Sequence, residues 1–93
     1  MTLRDSKLPA KRRSYLDVIY DILSIAVNGV KKTQIMYGAN LSYSQLISYL
    51  NFTLSSGLLS AMKGDGNEEL YLTTEKGLRF LREYEKLREL LEP

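Results

Sequence analysis

Apolar side chains recur at helical spacing through Tyr15, Val18, Ile19, Ile22, Leu23 and Ala26, which predicts a first helix with one apolar face. Ser14 stands at its N-cap position, and Asp17, three residues on, favours the positive end of the helix dipole. Asn28-Gly29 ends it, since glycine takes the left-handed conformation that a helix C-terminus needs. Thr33 to Tyr37 reads as a short second helix that gives Ile35 and Met36 to the core, and Gly38-Ala39-Asn40 breaks it. Ser42 then opens the box Ser42-Tyr43-Ser44-Gln45, in which Gln45 folds back to the Ser42 amide. The spacing predicts a third helix from about Tyr43 to Ser56, stopped at Gly57.

On a 3.6-residue wheel, Tyr43, Leu46, Ile47, Leu50, Thr53 and Leu54 share one side of that third helix. Ser44, Gln45, Ser48, Asn51 and Ser55 share the other, and Phe52 falls among this polar set without an explanation from the helix alone. The run "LLSAM" predicts a strand, "KGDGNEE" a turn, and "LYLT" a second strand with Leu70 and Leu72 on one face. Together they form a hairpin with a longish tip. Thr74 caps a final helix, in which Gly77, Phe80, Tyr84, Leu87 and Leu91 alternate in steps of three and four. Leu78 and Leu81 lie beside this seam. With no later chain to cover Tyr84, Leu87 and Leu91, a second copy of the helix is the economical cover.

Helix, helix, turn, helix, hairpin, helix is the outline of a winged helix, whose third helix enters the DNA major groove beside the hairpin. The expected fold is therefore mainly α with a small β-hairpin (α+β), a winged helix-turn-helix with an extended C-terminal helix. Three segments follow: a basic flexible arm over 1–13, the winged domain over 14–74 and a dimerising helix over 75–93.

Charge changes this picture in two places. From Thr33 to Met62, thirty consecutive residues carry no charge. The front of the chain is the opposite: residues 1–14 hold five basic side chains against one Asp, although the whole chain has a net charge of only +2. Such a segment is either a phosphate-contacting arm or a solubilising terminus. The apolar stretch from Tyr15 to Val30 carries Asp17 and Asp21 and is too short to span a bilayer. No secretory signal core is read at the front, so the expected location is the cytoplasm, with no membrane association.

Two runs carry a family resemblance. Lys32, Thr33, Ile35, Met36, Tyr37, Ala39, Asn40, Leu41, Ser42 and Tyr43 form the first. Tyr71, Leu72, Thr73 or Thr74, Lys76 and Gly77 form the second. They resemble the pattern of small archaeal winged-helix DNA-binding proteins of chromatin or regulator type. The resemblance implies double-stranded DNA as partner and a homodimer made through the C-terminal helix, which is shorter here than in the family's long-helix members.

On that outline, Ser44, Gln45, Ser48 and Asn51 are the expected base contacts, because amides pair with adenine edges and hydroxyls meet bases or phosphates. A neutral reading helix also keeps sequence-independent attraction out of the reading element. Lys11, Arg12, Arg13, Lys31, Lys32, Thr33, Ser42 and Lys63 are the expected phosphate contacts. Phe80, Tyr84, Leu87 and Leu91 are the expected dimer seam. Tyr43 is read as core, whereas Tyr37 is left open between core and phosphate. The tip, with Lys63 against Asp65, Glu68 and Glu69, opposes phosphate binding, and the third helix lacks the arginine that most often reads guanine.

Catalysis is poorly served. The chain has neither His nor Cys, no glycine-rich phosphate loop and no metal-ligand spacing in Gly64-Asp65-Gly66-Asn67-Glu68-Glu69, so neither cofactor nor metal is expected. The remaining alternative is a winged helix that binds protein rather than DNA.

Overall fold

The computed structural model describes residues 13–92. Four helices and one hairpin follow in the order α1 (Tyr15–Ile25), α2 (Lys32–Gly38), α3 (Tyr43–Ser55), β1 (Leu59–Lys63), β2 (Glu69–Thr73) and α4 (Glu75–Leu91). This is the α+β winged arrangement expected from the residue pattern.

Local chemistry sets each boundary. Ser14 Oγ accepts the Asp17 N–H at 3.2 Å while the Asp17 carboxylate accepts the Ser14 N–H at 3.1 Å. The two bonds satisfy helix donors that otherwise lack partners. Asn40 takes a left-handed φ of 58° after α2. The Leu41 and Asn40 amides donate to the Met36 and Tyr37 carbonyls, so a Schellman turn built on asparagine closes α2. Thr74 Oγ1 accepts the Gly77 N–H at 3.0 Å and caps α4.

The core is built from Val18, Ile19, Ile22 and Leu23 of α1, Ile35 of α2, Leu46 and Leu50 of α3, and Leu59 and Tyr71 of the hairpin. Thr53 is buried in the middle of α3, and its hydroxyl donates to the Tyr49 carbonyl at 2.8 Å, which removes the cost of burying it. Tyr15, the first residue of α1, departs from the expected apolar face: it is 62 % exposed.

In the hairpin, β1 and β2 are antiparallel with Leu59 opposite Thr73 and Lys63 opposite Glu69. The face turned to the core carries Tyr71 and Thr73, not Leu70 and Leu72. Thr73 tolerates burial because its hydroxyl donates to the Leu23 carbonyl at 2.7 Å. Val30 and Tyr71 exchange both backbone hydrogen bonds, at 3.0 and 2.7 Å, which adds a single-residue third rung to the wing.

The first half of α4 belongs to this core. A Cβ at Gly77 would collide with the Leu58 carbonyl oxygen and stand 2.6 Å from Thr73 Cγ2. Glycine is required here by the close approach of helix and hairpin. Farther along, Tyr84 stacks on Tyr20 of α1 with ring centroids 4.7 Å apart, and Phe80 follows at 5.9 Å from Tyr84. Tyr84 is thus covered within the protomer, correcting the expectation that nothing in the chain reaches it. Phe80 and Leu81 likewise pack against the core.

Candidate nucleic-acid interface

The face of α3 turned away from the core holds Ser44, Gln45, Ser48, Asn51 and Ser55, all exposed. Leu46, Leu50 and Thr53 anchor the opposite side. Position along the helix, and not any charge, fixes how these groups point: residues 44, 48, 51 and 55 follow one another at three- and four-residue steps. The result is a row of three hydroxyls and one amide open to solvent. A row of this kind can donate and accept hydrogen bonds with neutral partners and with base edges.

The Ser42–Gln45 box forms as expected. Gln45 N–H donates to Ser42 Oγ at 3.2 Å, and Ser42 N–H donates to Gln45 Oε1 at 2.9 Å. The oxygen of the Gln45 amide therefore serves as a cap on an otherwise exposed residue.

Both tyrosines that flank the turn between α2 and α3 are surface residues. Tyr43, read as core from the wheel, is 61 % exposed, and Tyr37 is 76 % exposed. Tyr43 is the first residue of α3, one turn ahead of the buried Leu46. Phe52 also has an explanation now. With Tyr15, Ile19, Ser48 and Tyr49, it lines an apolar hollow beside the polar face of α3. The residue pattern of α3 alone does not contain this hollow, because its other wall, Tyr15 and Ile19, belongs to α1.

The expected phosphate contacts do not form one cluster. Lys31, Lys32 and Thr33 sit at the start of α2 and share a groove with Glu68, Glu69 and Tyr71 of the wing. Lys63 stands at the end of β1 opposite Glu69. Ser42 is exposed but its oxygen is engaged in the cap. Arg13 is exposed but engaged within the domain: its guanidinium donates to Asp21 Oδ2 at 3.0 Å and to the Ala39 carbonyl at 2.7 Å, where α2 ends. Lys11 and Arg12 lie outside the described residues.

Two phenols have their acidity lowered, Tyr20 first by a neighbouring carboxylate and Tyr71 first by burial. Tyr20 donates to Glu85 at 2.8 Å, and this bond, with burial and the Glu85 charge, raises its pKa above the ordinary 10.0. Burial, followed by the bond to Glu69, raises that of Tyr71. Arg88 lies over both the Tyr20 and Tyr84 rings, 5.8 and 5.9 Å from their centroids. Beyond this cluster Leu87, Leu90 and Leu91 are exposed, the last two at 79 %. Of the expected dimer seam, Leu87 and Leu91 thus remain on the surface, joined by Leu90, which the heptad count missed. Among the described residues no group of carboxylates is arranged to hold a metal, and no helix is long and apolar enough to cross a membrane.

An exposed third helix after a tight turn, with a hairpin at its side, defines a winged helix-turn-helix. The model of that family matches residues 12–92, and this chain belongs to the winged helix-turn-helix family. The chain is 37 % identical over 82 residues to the uncharacterized protein MJ0287 of Methanocaldococcus jannaschii, covering 87 % of itself and 76 % of that protein. It is 34 % identical over 89 residues to the uncharacterized protein MJ0290 of the same organism, spanning 95 % of its own length and 40 % of that relative's. Among solved structures it is similar to Sso10a-2, a DNA-binding protein from Sulfolobus solfataricus. That match has a TM-score of 0.72 and 28 % identity over 85 % of each chain. The kinship to small archaeal winged-helix proteins, read from the two sequence runs, holds.

Proposed function

We propose that this protein binds double-stranded DNA as a homodimer, with α3 in the major groove. The observation that carries the reading is the exposed, uncharged row Ser44, Ser48 and Asn51 on a helix whose opposite side is core. Similarity to Sso10a-2, described as DNA-binding, supports it. Lys31, Lys32 and Thr33 contact the backbone at one side of the helix, and Lys63 contacts it from the wing. Lys11 and Arg12 supply further sequence-independent attraction. Arg13 acts differently in this proposal: its bonds to Asp21 and Ala39 fix the point from which the basic segment leaves the domain. Leu87, Leu90 and Leu91 cover one another across the twofold axis of the dimer, which matches two half-sites on DNA. The choice between regulator and architectural protein rests on the sharpness of its sequence preference.

A second reading has one specific observation behind it. Glu68 and Glu69 share the groove of Lys31 and Lys32, so the wing side of the domain has mixed charge where a phosphate-binding wing has cations. A winged helix that binds protein would have this property. One experiment separates the two. Titration of the full chain into labelled duplex at two salt concentrations should show binding that weakens steeply as salt rises. Absence of binding at low salt overturns the DNA reading. Sedimentation of the same sample without DNA should give the mass of a dimer, and a monomer at micromolar concentration removes the leucine interface.

A further inference from the structure

The reading helix lacks the arginine that most often specifies guanine, and its glutamine is the residue type expected at adenine. The cap alters that assignment. A free glutamine pairs with adenine through both ends of its amide: the oxygen accepts from N6, and the nitrogen donates to N7. Gln45 does not present both ends. Its Oε1 lies 2.9 Å from the Ser42 nitrogen and accepts that N–H. The reciprocal bond from the Gln45 N–H to Ser42 Oγ, at 3.2 Å, fixes the first turn of α3 in the same geometry. A carbonyl oxygen has a second lone pair, but here the amide plane is set by the cap and its oxygen is turned toward its own helix end. Gln45 is exposed, and its –NH2 group makes no hydrogen bond to any other described residue.

We propose that Gln45 is a specificity residue that reads guanine as a fixed donor, an assignment that rests on α3 entering the major groove. An amide –NH2 carries two N–H donors and no acceptor. Guanine offers two adjacent acceptors in the major groove, N7 and O6. Adenine sets its N6 donor beside N7 and so opposes the second N–H, while cytosine presents a donor only. Thymine O4 accepts a single bond. The order at this position is therefore guanine, then thymine, then adenine and cytosine. Asn51, exposed and without a cap to serve, keeps both ends of its amide and is the residue fitted to adenine. The cap also holds Gln45 in one arrangement before DNA arrives, so less side-chain freedom is lost on binding.

Gln45→Glu tests this without breaking the helix. Glutamate is the other natural partner of the box and retains an oxygen for the Ser42 N–H. It removes both donors and replaces them with an acceptor. Bound sequences are selected from random duplexes at low salt with the wild type and with Q45E, and each protein's thermal midpoint is measured alongside. The wild type should favour guanine at one position per half-site by tenfold or more. Q45E should lose that preference, shift toward cytosine at the same position and melt as the wild type does. Comparison among bases within each selection removes the general affinity lost to the added negative charge. A wild-type preference for adenine at that position, or a guanine preference that survives in Q45E, overturns the assignment while leaving DNA binding in place. A wild type that retains no duplex at all overturns both this assignment and the reading beneath it.

Discussion

Two helices of this protein bury one side and expose the other, and they spend their exposed sides in opposite ways. Within its 17 residues α4 carries nine charged side chains, which solvate its outer surface. The 13 residues of α3 carry none. A helix exposed to water gains solubility from charge, so α3 forgoes it at a position where the fold holds it outward. The buried sides differ as well. The α3 stripe of Leu46, Leu50 and Thr53 is ordinary core packing, whereas α4 reaches the core by a glycine pressed on a carbonyl and then by stacked rings. The most deeply buried side chains, Ile19, Ile22, Leu23, Ile35, Leu46 and Thr53, lie in α1, α2 and α3, and the outer face of α3 is left free of structural duty. The exception is Gln45, which caps the helix it would read with.

The sharpest way to break this contrast is to load both helices with a small change. Gly77→Ala on α4 forces a methyl against the Leu58 carbonyl and should cost on the order of 3 kcal/mol, a large share of a small domain's stability. Urea denaturation measures it, and a change below the noise of that experiment would show that α4 does not depend on close approach. A smaller effect lies in the ring cluster. Because the pKa of Tyr20 is raised in the folded protein, its proton favours the native state. The sign follows: this contribution is complete below the ordinary value of 10.0 and is lost as pH rises through the raised folded value. Tyr71 acts in the same direction. Thermal midpoints should therefore fall above about pH 10, and Glu85→Gln should lessen the fall. A midpoint that holds steady through that range contradicts the Tyr20–Glu85 contact. The smallest stability effect is expected on α3, where Ser48→Ala should leave unfolding within about 0.5 kcal/mol of the wild type. A large loss there would mean that the face has a structural role.

Much of this architecture was legible in the residues themselves. Ser14 with Asp17, Ser42 with Gln45, and Thr74 before α4 mark helix starts through bonds confined to one turn, so local sequence contains both partners. Gly57 stops α3 for the same local reason, with a φ of 81°. What was hidden is non-local. Tyr84 looked uncovered because its cover, Tyr20, lies in the first helix, and a seam spaced for a coiled coil serves equally to dock on one's own core. The inward face of β2 was obscured because apolar and polar residues alternate with an aromatic among them, and Thr73 is acceptable inside only through the Leu23 carbonyl. Tyr15 and Tyr43 both occupy the first turn of a helix, where the wheel assigns a side but not whether a neighbour extends that far. The polar face of α3 was readable, and so was the bond from the Ser42 N–H to the Gln45 oxygen, which was expected as a cap.

The account turns on which surface meets DNA, and backbone amide shifts measured while a short duplex is titrated at low salt address that most directly. Ser44, Gln45, Ser48 and Asn51 should shift or broaden first, together with Lys31 and Lys32, while the Tyr20–Tyr84 region of α1 and α4 stays in place. Perturbation centred on α4 or on the Tyr15–Phe52 hollow, with the outer face of α3 unmoved, would contradict it.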